Sequence, residues 1–240
     1  MTRINKWLSE MGVCSRKQAD RLIADGLVTV NQKVAFLGMC VAPEDTVRVN
    51  GETISIKPEP VIILYHKPVG VVCTHDLNVT NNIESALNYP QRIFAVGRLD
   101  KDSEGLLLMT NQGDIVNRIM RAENHHKKVY RVWVNKVLTQ DFLLKMASGV
   151  PILKTTTLPC KVEVVEEFSD ENVFEITLTQ GLNLQIRRMC KALGYKVCRL
   201  QRTQIMQFGL EGLMPGEYRK LSANEVGLLQ KSIANSSNEN

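Results

Sequence analysis

The sequence predicts an α+β protein in two parts. A small N-terminal αα-β module spans residues 1–56, a larger domain built on a large, mostly antiparallel mixed sheet spans 61–225, and 226–240 reads as a polar C-terminal tail. Three observations predict this. Two short helical patterns at the start are followed at once by alternating strand patterns. Residues 52–60, ending Lys57-Pro58-Glu59-Pro60, form a linker stiffened by two prolines. Beyond it strand patterns arrive several together, an order that favours α+β over a doubly wound parallel sheet. With 240 residues, 44% hydrophobic and 23% charged, there is enough apolar material for one or two packed domains.

In chain order, Ile4, Trp7, Leu8 and Met11 recur at the spacing of one buried helix face, and Gly12 ends that helix. Ser15-Arg16-Lys17-Gln18 fits a capping box opening a second helix, with Ala19, Leu22 and Ile23 inward and Gly26 as its stop. Leu27–Ala35 reads as strand, turn, strand, and Asp45–Val49 as a strand ending in an Asn50-Gly51 turn. After the linker, strands are expected at 61–66, 69–74, 92–96, 128–134, 160–165, 173–179 and 196–204, with helices near 83–87, 115–121, 139–148 and 184–193.

Several function classes fall away. The longest apolar stretches, such as Val61–Leu64 and Leu106–Met109, are far short of the roughly 20 residues of a membrane span. Met1–Lys6 has no apolar leader region, so a cytoplasmic location is expected. The cysteines (14, 40, 73, 160, 190 and 198) are scattered without a C-x-x-C pair, and His125-His126 is the only histidine pair, so no metal site and reduced thiols are expected. The net charge of +5 is modest, but Gln185–Arg202 carries Arg187, Arg188, Lys191, Lys196, Arg199 and Arg202 with no acid. A block of one sign suits a polyanion better than an ordinary solvated helix face. Arg3, Lys6, Arg16, Lys17 and Arg21 fall on or beside the first two helices, where charge alone does not separate a phosphate-facing surface from a soluble one.

The densest polar cluster is Gly97-Arg98-Leu99-Asp100-Lys101-Asp102-Ser103-Glu104-Gly105, between the apolar segments 93–96 and 106–109. It is not a calcium loop, because the position that needs a bidentate Glu is Asn111. Nor is it a two-carboxylate sugar cleft. Asp100 and Asp102 would crowd one side of a substrate, and Phe, Trp and Tyr together make up only 5%. A functional side chain on a loop anchored at both ends by buried segments remains the better reading.

Two resemblances now become informative. Arg3–Asn31, with both helices, the Ser-Arg between them and the Val28-x-Val30-Asn31 strand, resembles an S4 RNA-binding domain over about residues 2–50. Gly97-Arg-Leu-Asp-Lys-Asp-Ser-Glu-Gly-Leu-Leu107 resembles the catalytic motif of pseudouridine synthases. Tyr65-His-Lys-Pro-Val-Gly70, Lys128-Val-Tyr130, and Gly181–Met189 followed by Leu200-x-Arg202 fit the same family in the right order. The whole arrangement resembles the RsuA-type branch of ribosomal pseudouridine synthases. Ser103-Glu104, Gly149–Ile152 and Arg202-Thr-x-Ile205 bring it nearest to the F-type members that act on 23S ribosomal RNA.

This resemblance implies the pseudouridine synthase fold and the isomerisation of a specific uridine in 23S ribosomal RNA, with no cofactor and no metal. Asp100 would be the essential aspartate, Tyr130 would stack on the flipped base, and Arg187 would pair with Asp100 and keep it ionised. Arg3, Lys6, Arg16, Lys17, Arg21, Lys67, Arg98, Arg188 and Arg202 would bind RNA. For Lys67 an exposed lysine before a proline turn fits equally well, and from the residues alone Tyr130 reads as an ordinary packed tyrosine. The partner would be a ribosomal RNA stem-loop, with tRNA or 16S RNA as alternatives, and the protein a monomer. A different class, an S4-type assembly factor without catalysis, would not need the Asp100, Tyr130 and Arg187 set. Two positions depart from the family pattern: His66 stands for Asn, and Leu184 for the usual basic residue.

Overall fold

The computed structural model describes residues 1–76, 78–120, 126–165 and 172–235. Its contacts divide the chain into residues 1–61 with the short segments 90–93 and 111–113, and the remainder.

In the first unit, β1 (Thr2–Arg3) leads into α1 (Ile4–Glu10), whose Ile4 and Leu8 are buried at i and i+4. Ser15 opens α2 (Arg16–Ala24) with the expected capping box: Ser15 Oγ accepts from Gln18 N at 3.2 Å, and Gln18 Oε1 accepts from Ser15 N at 2.9 Å. Next come β2 (Val28–Val30), β3 (Lys33–Val34), β4 (Cys40–Val41), β5 (Val47–Val49) and β6 (Glu52–Thr53). Strands β3, β2, β5 and β6 form one sheet in that order, and β1 pairs with β4. The β2–β3 turn holds Asn31 and Gln32 at φ 49° and 67°, and the β5–β6 turn holds Asn50 and Gly51 at φ 51° and 84°. Two successive positive φ values give the turn whose twist matches that of a hairpin.

The second unit is built on a nine-stranded sheet. Its strands are β7 (Ile62–Lys67), β8 (Phe94–Ala95), β9 (Glu104–Thr110) and β10 (Lys128–Val134). After a small hairpin of β11 (Pro151–Ile152) and β12 (Thr155–Thr156), the sheet continues with β13 (Lys161–Val164), β14 (Val173–Leu178), β15 (Val197–Ile205), β16 (Phe208–Gly209) and β17 (Tyr218–Lys220). The order is β13-β14-β10-β15-β9-β7-β17, with β8 on β9 and β16 on β15. Every pairing is antiparallel except β9 with β15, so the expected mostly antiparallel α+β architecture is what forms. The helices are α3 (Ile83–Leu87), α4 (Gly113–Met120), α5 (Gln140–Ser148), α6 (Gln185–Ala192) and α7 (Ala223–Asn235). One core gathers Val132, Phe142, Met146, Phe174 and Met189 of β10, α5, β14 and α6. A second gathers Leu64, Leu106, Leu108, Ile119, Leu229 and Ile233.

Three expectations need correction, and one strand was not foreseen. Residues 69–74 form no strand: Pro68 has no N–H to give, Gly70 turns at φ 91°, and only Val72 makes a bridge, to Asn82. Only Phe94 and Ala95 of 92–96 are strand. The apolar run from 106 is a central strand, buried at all seven positions of β9, and burial on both faces removes the alternation that marks strands in sequence. Residues 226–235 are not tail but most of α7, which Ser222 and Glu225 cap. Leu229 and Ile233, 0% and 3% exposed, each bury enough for about 2 kcal/mol. Arg121, the expected last residue of the helix at α4, and His125 lie outside the described residues, as do residues 236–240.

Candidate active site

The loop 97–103 leaves β8 at Gly97, in the left-handed region at φ 78°, and sinks Leu99 to 6% exposure. Asp100 follows, half-buried, and Ser103 N returns to Asp100 O at 3.1 Å, closing a main-chain turn that starts at Asp100. The Lys67–Gly70 segment braces this turn, with Gly70 N donating to Lys101 O at 2.8 Å. At the loop's end Gly105 sits at φ 114° opposite Arg202 of the parallel neighbour β15. A Cβ there would lie 2.3 Å from Arg202 O and 2.5 Å from Arg202 N, so only glycine allows the approach.

Asp100 lines a cavity of about 370 Å³ together with Arg98, His126, Lys128, Tyr130, Arg187 and Arg202. Lys128 and Tyr130, at i and i+2 on β10, share a sheet face. Tyr130 pairs with Arg202 across β15, where Thr203 is an extra unpaired residue, and the Arg202 guanidinium carbon lies 6.0 Å from the Tyr130 ring centroid. Gln180–Arg187 closes another side. Gln185 shapes that segment: its Oε1 accepts from Leu182 N at 2.9 Å and its Nε2 donates to Gln180 Oε1 at 3.2 Å. Among the described residues Asp100 is the only acid lining the cavity, against Arg98, Lys128, Arg187 and Arg202.

Of the residues singled out in the sequence, Asp100, Tyr130, Arg187, Arg98 and Arg202 therefore converge on one cavity. Three expectations change in detail. Arg187 does not bond the Asp100 carboxylate: its Nη2 donates to Asp102 O at 2.8 Å and to Ser103 Oγ at 3.3 Å, so it ties α6 to the loop that carries Asp100. Lys67, expected to contact RNA or lie exposed, is 0% exposed, with Nζ donating to Pro68 O at 2.8 Å. Burial lowers its pKa, opposed by Cys73 and then by Asp100, Asp102 and Glu104. Arg202 is 2% exposed and donates from Nε to Leu106 O at 2.7 Å, so it stands in the cavity wall rather than on an open RNA-facing surface. Arg188, beside Arg187 on α6, donates to Asn183 Oδ1 at 2.9 Å. In the first unit Arg3, Arg16, Lys17 and Arg21 are exposed, while Lys6 pairs with Glu10 at 3.4 Å.

Sequence reasoning missed His126 and Lys128 as site residues. Lys128 was detectable from the period of two that sets it beside Tyr130. Its pKa is lowered by burial and then by the charge of Arg202; that of His126 is lowered by burial and then by Lys128. Also unforeseen, Glu104 accepts from Arg199 Nε at 2.5 Å, with that guanidinium 4.5 Å from the Trp133 ring centroid. Among the described residues no three His, Cys, Asp or Glu side chains converge as a metal set, and no helix is long and apolar enough to cross a membrane.

Comparison with known proteins identifies this arrangement. The family described as RNA pseudouridylate synthase matches residues 61–192, a span that holds Asp100, Tyr130 and Arg187, and the S4 domain matches residues 2–47. The chain belongs to the RNA pseudouridylate synthase family. It is 48% identical to the dual-specificity RNA pseudouridine synthase RluF of Escherichia coli K12, over 99% of this chain and 81% of that protein. It is 34% identical to the ribosomal large subunit pseudouridine synthase B of Bacillus subtilis, over 96% of each. A crystal structure of a pseudouridylate synthase superposes with a TM-score of 0.68 at 29% identity, covering 95% of this chain and all of the other. The protein is thus an RNA pseudouridine synthase, an isomerase of the RsuA type with an N-terminal S4 domain.

Proposed function

We propose that the cavity isomerises a flipped uridine of 23S ribosomal RNA with Asp100 as the catalytic aspartate, Tyr130 as the platform for the base and Arg187 as the residue that fixes the loop carrying Asp100. The observation that carries this reading is the position of Asp100 as the only acid, among the described residues, lining a cavity that also presents the Tyr130 ring and four basic side chains. While stacked in RNA, a uridine hides N1 and C1′ from a carboxylate, so the nucleotide must leave the stack and an aromatic ring must take the exposed face. Asp100 then acts as the N1–C1′ bond breaks. The base turns and its C5 joins C1′, C5 gives up its proton, and N1 takes one. Nothing is oxidised, reduced or added overall, so no cofactor is called for.

The names of the relatives support the substrate: one acts on the ribosomal large subunit and the other has dual specificity for RNA. A dual specificity in that relative is compatible with a second RNA substrate here, tRNA or 16S RNA, beside 23S RNA. Arg3, Lys6, Arg16, Lys17 and Arg21, on the elements matched to the S4 domain, would hold the folded RNA, with the second unit, through α7, as the catalytic domain and the protein acting as a cytoplasmic monomer.

The test is tritium release from C5-labelled uridine in unmodified 23S RNA, with wild type and Asp100→Asn side by side. Wild type should release tritium. Asp100→Asn should fall by at least about 1,000-fold while its RNA affinity stays within a few fold, the pattern of a group that acts in the transition state. Joint loss of binding and activity would make Asp100 structural. Release from tRNA or 16S RNA but not from 23S RNA would move the substrate.

A further inference from the structure

His126, Lys128 and Arg202 form one wall of the cavity, and their polar atoms are under-used. Among the described residues Lys128 Nζ has one hydrogen-bond partner, the main-chain oxygen of His126 at 3.3 Å, so most of its donor capacity is idle. Arg202 is 2% exposed and spends Nε on Leu106 O, while its Nη2 is buried without a partner. Nε2 of His126 is likewise buried without one. Neither cation has a carboxylate partner among the described residues. Gathering like charges and unmatched donors in a half-dry wall is unfavourable in the empty protein and becomes favourable when an anion arrives.

The N-terminus of α6 adds to the same field. Leu184 precedes it in the left-handed region at φ 52°, with no side-chain cap, and the first turn has no acid. Asn183, Leu184 and Gln185 line the same cavity. Gln185 N donates to Leu182 O at 3.2 Å, but a helix start with no capping side chain and no acid in its first turn still attracts negative charge.

We propose that His126, Lys128 and Arg202, with the start of α6, form an anion subsite that takes a phosphate of the nucleotide being isomerised. The proposal rests on the reading of this cavity as the place where the flipped uridine reacts. A uracil carbonyl could satisfy one donor, but being neutral it would leave the charges of Lys128 and Arg202 together. A phosphate oxygen pair answers both the donors and the charge. The enzyme would then hold a uridine by its backbone as well as by its base.

Titration of the wild-type protein with uridine, uridine 5′-monophosphate, uridine 3′-monophosphate and inorganic phosphate tests the subsite directly. One monophosphate should bind at least about 10-fold more tightly than uridine, and which one it is assigns the phosphate to the 5′ or 3′ side. Inorganic phosphate should compete with it. Lys128→Met should close that gap and lower the salt slope of RNA binding by about one, while Lys128→Arg restores both, with a thermal melt checking that each variant is folded. Equal binding of uridine and both monophosphates, absence of binding included, would overturn the subsite, as would a gap that survives in folded Lys128→Met. Tritium release by wild type is read separately, so loss of the subsite and loss of the isomerase reading are distinct results.

Discussion

Two walls of the same cavity are built on opposite terms. The loop that carries Asp100 is braced at each step: Gly70 N on Lys101 O, Ser103 N on Asp100 O, and Arg187 on Asp102 O and Ser103 Oγ. The wall of His126, Lys128 and Arg202 holds more donors than the protein satisfies. A group that must act on a bond at a fixed distance gains from being held beforehand. A group that must receive a charged ligand gains from being left open for it. On the reading proposed above, the braced wall does chemistry and the open wall does recognition, and the contrast can be tested by disturbing each.

The largest effect is expected where the two walls meet. Gly105→Ala places a methyl 2.3 Å from Arg202 O, which is backbone and cannot swing away, at a φ of 114° that alanine resists. It should cost about 3 kcal/mol or more in urea unfolding, since β9 and β15 must separate. A loss under about 1 kcal/mol would mean that the two strands give way easily and that the brace is soft. A middle-sized effect is expected within the loop. Ser103→Ala removes one of the two acceptors of Arg187 and keeps the other. It should lower kcat by roughly 3- to 10-fold with KM for RNA within about two-fold, because ground-state binding is untouched. Were KM to rise instead, the loop would belong to the recognition side.

Much of this was legible in the sequence, for physical reasons. The hairpins were readable because Asn50-Gly51 needs the left-handed region, and α2 because Ser15 and Gln18 cap each other. Asp100, Tyr130 and Arg187 could be brought to one place only through resemblance, since 30 and 57 residues separate them in sequence and a sheet order of β15-β9 is not a local property. The burial of Lys67 was illegible: a lysine reads as surface unless the chain around it, here the turn through Pro68 and Gly70, is seen to fold over it. Arg187 lines the cavity with Asp100, but its partners are the Asp102 carbonyl and the Ser103 hydroxyl rather than the Asp100 carboxylate. Sequence spacing cannot say whether a guanidinium reaches a carboxylate or the carbonyl two residues on. The helix α7 was missed although Ser222-x-x-Glu225 and the spacing of Val226, Leu229 and Ile233 announce it, because the polar residues that follow dominated the composition.

The smallest effect comes from that helix, and it shows what a cation does when the protein itself supplies its anion. Arg219 donates to Glu225 Oε1 at 2.8 Å and Oε2 at 3.0 Å, and Ser222 N donates to Oε2 at 2.8 Å. These bonds, Arg219 first and Ser222 N next, lower the Glu225 pKa from 4.5 to about 2. A carboxylate depressed in the folded state contributes stability above its unfolded pKa and loses it as pH falls through the folded one. Wild type should therefore lose stability between about pH 4.5 and 2 that Glu225→Gln does not lose. The side chains are 38% and 25% exposed, so solvent screening holds the difference to about 1 kcal/mol in urea unfolding at the two ends of that range. Identical acid profiles for the two proteins would mean that the pair is worth nothing once hydrated. A satisfied cation would then be no better placed than those of the cavity wall, and the contrast between the two walls would have to rest on geometry alone.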